Sequence, residues 1–464
     1  MTSYETYTEL DVAPDAMQDT IPDTDGAITG CSLEQALEAA DAAYDSIEQE
    51  EAQPSDDAID FVRSFLARTD IEILFDGSLR FASAPRMATT SSEIAAFLAL
   101  EDVDGPWLID ELVGETHMRG VKIRKGDLER AMRKVTREAQ RTRRNNIVIP
   151  LLTETPPSAM LAETAWSELA QGVFETDPVL CTACLQHFIW QVKRKLLNLP
   201  IQHHLMPVIY SPIQGGGKTT FILKFLAPLR ELATGPVLLS DFTDTRSGDI
   251  YRFPALFVDD MEQIEPKLIP VLKSLVTSEG LRRRKLGTSM SEGHRQRTTL
   301  IGTANAAIDA LVADATGNRR FASLKFRNGK VENGGDVAVW DSVQAADYEL
   351  LWRSVDVFGP APIDAHLSDL VVLQEAGRPP GPLLTWLRGL DVDATAVENI
   401  STKHGVKANG LRQLFIEQTE CWVSANQFAE RMAQHVTDTA VPLGPRLEKE
   451  YGIVYRRKAG GLTA

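Results

Sequence analysis

The stretch from Met206 to Phe225, "MPVIYSPIQGGGKTTFILKF", limits what this chain can fold into more than any other. A short apolar run, a glycine-rich turn and a second apolar run read as a buried strand, a tight loop and a helix. Gly215, Gly216 and Gly217 let backbone N–H groups close on a phosphate. Lys218 and Thr219 follow where such a loop needs a cation and a hydroxyl. The pattern G-x-x-x-x-G-K-[ST] fits in its second half and departs at Pro212, which stands in place of the first glycine. Proline fixes φ and lacks a donor there, but the loop's entrance need not donate. A loop of this kind belongs between a buried strand and a helix, so an α/β fold is expected.

The rest of the chain supplies matching elements. "GPVLLSDF", "PALFVDD", "TTLIGTANA" and "FASLKF" are short apolar runs bounded by turns. With "MPVIY" they make five strands alternating with helices, a sheet covered on both faces. Upstream, strand-like "IEILFDGSLRFAS" precedes "DLERAMRKVTREAQRTRRNN", where Leu128, Ala131, Met132, Val135 and Ala139 recur at helical spacing. The remaining face carries Arg130, Arg133, Lys134, Arg137, Arg141, Arg143 and Arg144, which can meet phosphate backbones or simply be solvated. Apolar helices around "LCTACLQHFIWQVKRKLL" lead into the glycine loop, and "GRPPGPL" at 377–383 separates off a smaller C-terminal unit. There "NGLRQLFIEQTECW", "SANQFAERMAQHV" with Ser424 as N-cap, and "PLGPRLEKEYG" read as three helices, followed by "IVYRRKAGG" as a β-wing. A winged helix is therefore expected. On it Arg446 and Lys449 of the third helix and Arg456, Arg457 and Lys458 of the wing would face duplex DNA.

The domain expectations are an acidic tail at 1–57, a small, mainly helical α+β domain at 58–149, an ATPase domain at 150–360 and the winged-helix domain at 361–464, in line with a chain of 464 residues. Net charge is −17, but 17 of the 65 acids lie in the first 60 residues, which hold no Lys or Arg, so the remainder balances the 48 bases. The tail is poor in large apolar residues and is expected to be disordered, with one helix in "SLEQALEAADAAYDSIEQEE". It solubilises the chain, or it competes with DNA or recruits a basic partner. No apolar run approaches a membrane span and the start lacks a signal-peptide pattern, so a cytoplasmic location without membrane partners is expected. Cys31, Cys181, Cys184 and Cys421 are too few for a disulfide scaffold and lack the second pair of a zinc site; reduced thiols are expected.

Chemistry can be read at three places beyond the loop. In "PALFVDDMEQ" a buried strand ends in paired carboxylates: Asp259 suits magnesium, together with the Thr219 hydroxyl, and Asp260 suits polarising an attacking water. In "TTLIGTANAAIDALVADATGNRRF" a strand ends at Asn305, whose amide can position that water or sense a γ-phosphate, and a turn delivers Arg319 and Arg320. Between them "SEGLRRRKLGTSMSEGHRQRTTL" reads as a hairpin with basic arms carrying Arg283 and Arg284. Gln214, Gly215, Gly216, Gly217, Lys218, Thr219 and Thr220 would hold ATP, with Mg²⁺ as the second cofactor.

In order and spacing, the glycine loop, "FVDDME", "GTAN" and "TGNRRF" resemble superfamily 3 helicases, above all the virulence-associated E-type and poxvirus-type primase-helicases of phages, plasmids and mobile islands. There the loop commonly reads G-x-Q-G-x-G-K-[ST], matched here from Gln214 onward. The resemblance spans roughly residues 185–360. It implies an AAA+-like ring, usually hexameric, with ATP held between neighbouring subunits, Arg319 or Arg320 reaching the neighbour's γ-phosphate, and a hairpin that holds single-stranded DNA in the channel, with Lys285 on phosphate. The function expected from it is an ATP-driven DNA helicase or replication initiator; the alternative is a DNA-binding regulatory or defence ATPase without unwinding. An N-terminal primase is often fused to such helicases, but no metal-binding Asp-x-Asp with a matching His stands out in residues 1–180, so primer synthesis is not expected.

Overall fold

The computed structural model describes residues 56–464 except 84–89, 93, 95–102, 155, 157, 239–252, 262–264, 266–267, 279, 285–290, 309–317, 328–334, 377–380, 450–451 and 459–464. The acidic tail and its expected helix lie outside the described residues.

The amino-terminal module forms because three helices each offer one apolar stripe. Helix α1 (Asp56–Arg68) turns Ala58, Ile59, Val62 and Phe65 inward. A hairpin of β1 (Ile71–Ile73) and β2 (Leu79–Phe81) follows. Helix α2 (Gly105–Arg119) starts where the Asp104 carboxylate accepts from Trp107 N at 2.7 Å. Helix α3 (Lys125–Thr153) closes the cluster with Leu128, Ala131 and Val135, the face expected from the sequence. Its basic residues are partly consumed inside the fold. Arg130 pairs with Asp127 at 2.5 Å, Arg143 with Glu72 at 2.7 Å and also with Glu231, and Arg144 is buried. Arg143 and Arg144 are thereby held within the fold. The helix also continues through Pro150, so the junction expected at residues 149/150 lies inside it, and Ile147, Val148 and Leu151 join the next core.

Helices α4 (Ala159–Val173) and α5 (Pro178–Leu196) precede the sheet; α5 is buried almost all round, including Cys181 and Cys184. Both cysteines are free thiols, as is Cys421, and burial pushes the Cys184 thiol up to about 12. The sheet strands are β3 (Met206–Tyr210), β4 (Ala233–Val237), β5 (Ala255–Val258), β8 (Thr299–Ala304) and β9 (Phe321–Lys325), with α6 (Lys218–Leu226) after β3 and α7 (Ile269–Thr277) after β5. Between α7 and β8 lies a separate antiparallel hairpin, β6 (Gly280–Arg284) with β7 (Ser291–Arg295). All pairings of the large sheet are parallel, in the order β4-β5-β8-β3-β9. Because strand residues alternate, Ile209, Phe257, Ile301 and Leu324 face one apolar cluster with α5 and α6, while Val208, Leu256, Val258 and Leu300 face another with α7. Helices α8 (Val337–Ala345), α9 (Tyr348–Ser354) and α10 (Leu367–Ala376) complete this part.

The C-terminal unit runs α11 (Pro382–Arg388), α12 (Thr395–Glu398), β10 (Ser401–Thr402), β11 (Gly405–Lys407), α13 (Ala408–Thr419), α14 (Ala425–His435), β12 (Leu443–Lys449) and β13 (Gly452–Arg457). Ser424 caps α14 in a capping box with Gln427, as the sequence suggested. The expected third helix is not there. Residues 443–449 form the edge strand of a sheet ordered β10-β11-β13-β12. Pro442 and Pro445 lack the N–H groups a helix needs, and the register shift between Leu443 and Arg446 takes up Pro445 at a bulge on the edge. Arg446 and Lys449 therefore lie on a strand, and Arg446 pairs with Glu448 at 2.5 Å.

Candidate functional site

The parallel register brings the motif residues to one edge. Strands β3, β5 and β8 all end there, so the loop after Tyr210, the carboxylates after Val258 and Asn305 after Ala304 converge. Since β8 lies between β3 and β5, Asn305 stands between the loop and the acids. They line one cavity of about 410 Å³ with Gln214, Gly215, Gly216, Gly217, Lys218, Thr219, Thr220, Asp259, Asp260, Thr303, Asn305 and Trp340 on its wall.

Local backbone makes the loop possible. Gly215 (φ 73°) and Gly217 (φ 97°) occupy the left-handed region, which an L side chain rarely adopts, and Gly217 is the N-cap of α6. The helix thus begins at Lys218 with its first N–H groups directed at the cavity mouth, a setting that favours anions. Lys218 is buried, and its Nζ donates to Asn305 Oδ1 at 2.8 Å, Ser211 O at 3.2 Å and Ile213 O at 3.4 Å.

Asp259 faces the Thr219 hydroxyl, with both carboxylate oxygens 3.5 Å from Oγ1. The Thr303 hydroxyl holds the same carboxylate by donating to Oδ1, and accepts from Asp260 N at 3.2 Å. Asp260 itself takes a left-handed φ of 50° and is exposed to the cavity. A hydroxyl beside one oriented carboxylate fits Mg²⁺, which usually keeps waters and substrate phosphates as its other ligands. A cage of three or more acidic, His or Cys ligands is absent among the described residues. Thr303 and Trp340 were not among the residues singled out from the sequence. A buried Thr in a strand has the look of an ordinary β-former, and Trp340 follows the loop at no diagnostic spacing.

Arg319 and Arg320 do not join this site. They precede β9, whose first residue, Phe321, is level with Met206 at the start of β3. That is the far end of the sheet, about 20 Å from the loop at ~3.3 Å per residue. Neither arginine makes an ion pair among the described residues. Arg283 and Arg284 lie on β6 of the expected hairpin, and Lys285 lies outside the described residues. On β13 Arg456 is exposed, while Arg457 pairs with Asp393 at 3.4 Å and, just beyond the strand, Lys458 donates to Asp438 O at 2.5 Å.

Fold and edge together define an α/β protein whose one parallel sheet gathers a glycine loop, two carboxylates and an amide. Residues 162–356 match the family model of the Virulence-associated protein E-like domain, so this part of the chain is similar to that family. Among solved structures, the apo C-terminal region of NrS-1 is similar at a TM-score of 0.37 and 11% identity over 67% of this chain and 78% of that chain. JCV Helicase is similar at a TM-score of 0.32 and 14% identity over 70% and 93%. No curated protein matches the sequence. Among the described residues no helix is long and apolar enough to cross a membrane.

Proposed function

We propose that this chain is an ATP-dependent DNA helicase of the replication-initiator kind, from a phage, plasmid or other mobile element, with an AAA+-like core that hydrolyses ATP between the subunits of a ring. The observation that carries this reading is the meeting of the glycine loop, Asp259, Asp260 and Asn305 in one cavity while Arg319 and Arg320 stand at the opposite end of the same sheet. The first four groups can bind and orient a triphosphate and a water. The arginines are out of reach in the same chain and are available to a neighbour.

The loop N–H groups from Gln214 to Thr220 hold the β-phosphate, and Lys218 leaves its carbonyl and amide acceptors for the β and γ oxygens. Thr219 and Asp259 would hold Mg²⁺, whose positive charge would be supplied against the phosphate oxygens. Asp260 takes the proton of the attacking water, and Asn305 fixes that water in line with the γ-phosphate. Thr303 keeps Asp259 and the backbone of Asp260 in place. The β6–β7 hairpin, with Arg283, Arg284 and Lys285, contacts single-stranded DNA in the channel. In the C-terminal unit the order strand, two helices, hairpin supports a winged helix for duplex DNA. There α14 takes the groove-facing place the sequence had given to residues 442–452, and Arg456, Arg457 and Lys458 sit on the wing.

The test is displacement of a labelled strand from a forked duplex with and without ATP. Displacement only with ATP is expected. DNA-stimulated hydrolysis with no displacement would move the function to a regulatory ATPase.

A further inference from the structure

The sheet edge accounts for the phosphates, the metal and the water, but a nucleotide also carries a flat base. Among the described residues Trp340 is the single aromatic one on the cavity wall. It stands on the first turn of α8, a helix fixed by burial of Val339 and Val343 in the main core. Asp336 sets the start of that helix, its carboxylate accepting from Ala338 N at 2.9 Å.

The indole reaches across to the loop. Its Cζ2, Cη2 and Cε2 atoms lie 3.2, 3.4 and 3.5 Å from where a Gly217 Cβ would be, and Nε1 lies 2.7 Å from where a Gly335 Cβ would be. Gly335 has φ +87°, and its Cβ position is 3.5 Å from Gly216 O. Two glycines thus make room for one large ring against the glycine loop. The ring remains partly exposed, and it is exposed into the cavity. A large aromatic ring lining a cavity that is otherwise polar is suited to a flat ligand group.

We infer that Trp340 is the nucleobase platform of this site, stacking on the base of the nucleoside triphosphate whose phosphates the glycine loop holds. This rests on the assignment of the loop made under Proposed function. Stacking is tolerant of base identity and strengthens with ring area, so purine nucleotides bind more tightly than pyrimidine nucleotides.

The experiment compares binding of Mg·ATP and of magnesium tripolyphosphate, which has the phosphates and no base, by calorimetry on the full chain. Trp340→Ala is expected to weaken ATP binding about tenfold or more and to leave tripolyphosphate binding unchanged. Trp340→Phe is expected to recover most of the ATP affinity. Equal losses for both ligands would make Trp340 a prop for the loop and overturn the inference, as would unchanged ATP affinity. A wild-type chain that binds neither ligand would remove the loop assignment itself, an outcome separate from both. The thermal midpoints of the variants verify that the fold persists.

Discussion

Lys218 and Asn305 are joined across the site, Nζ to Oδ1, at 2.8 Å. The bond links the first residue of α6 to the end of the central strand β8. With the carbonyls of Ser211 and Ile213 it gives a buried ammonium three acceptors within the fold. On the proposed function, binding a triphosphate would exchange these neutral acceptors for charged oxygens, which favours the exchange.

Lys218→Ala is therefore expected to abolish ATP hydrolysis while shifting the thermal midpoint by no more than a few degrees, because the side chain serves no apolar cluster. Turnover near that of the wild type would show that the loop is not the hydrolytic site.

Thr303→Val keeps the volume of a buried side chain but removes the hydroxyl that bridges Asp259 and the Asp260 backbone. A roughly 10- to 100-fold fall in turnover is expected, as for groups that orient a metal ligand, with part of the loss recovered at high Mg²⁺. An Mg²⁺ titration of the steady-state rate reads this directly. A loss indifferent to Mg²⁺ would place Thr303 outside the metal's support.

The separation of Arg319 and Arg320 from the loop by the length of the sheet predicts complementation. Chains with Arg319→Ala and Arg320→Ala and chains with Lys218→Ala should each be nearly inactive, and a mixture should regain hydrolysis. An intact loop on one then meets an intact arginine on the other, a contact worth about 10³ to 10⁵ in rate where such arginines act. If labelled subunits exchange and no mixing ratio restores activity, the arginines do not act in trans.

His187 gives the main core a pH dependence. It is fully buried on α5, with Nε2 2.7 Å from His203 O and Nδ1 without a partner among the described residues. Burial depresses its pKa to about 4, although the bond to His203 O works in the opposite direction. Between pH ~6.5 and 4 the unfolded chain binds a proton that the folded chain does not, so this residue's contribution falls as pH drops through that window. His187→Gln, which can keep the bond and does not titrate, should flatten that part of the curve of unfolding midpoint against pH. A wild-type and variant pair with parallel curves would assign the slope to other groups.

Much of this was legible in the sequence, and the exceptions have physical causes. Strands β3, β5, β8 and β9 were readable because buried parallel strands are continuous apolar runs with sharp ends. Strand β4 was placed too late, at 235–242 against the observed Ala233–Val237, because it is a half-exposed edge strand containing Gly and Pro. Residues 442–452 were read as a helix, yet Pro442, Pro445 and an edge position make 443–449 a strand. The loop, the acids and Asn305 carry their chemistry in local motifs. Trp340 reaches the site only through the packing of α8, which spacing along the chain cannot show.

Helix α3 has a mechanical consequence. Its first half is part of one apolar cluster and its last two turns part of another, and between them Arg143 is clamped by Glu72 on one side and Glu231 on the other. Twenty-nine residues at 1.5 Å each make a rod of about 43 Å. Seated at one end beside the sheet that carries the loop, such a rod is a lever. A tilt of about 5° over that length corresponds to about 4 Å at the far end, so the position of the amino-terminal module depends on how the last two turns of the helix, which contain Pro150, are seated in the core.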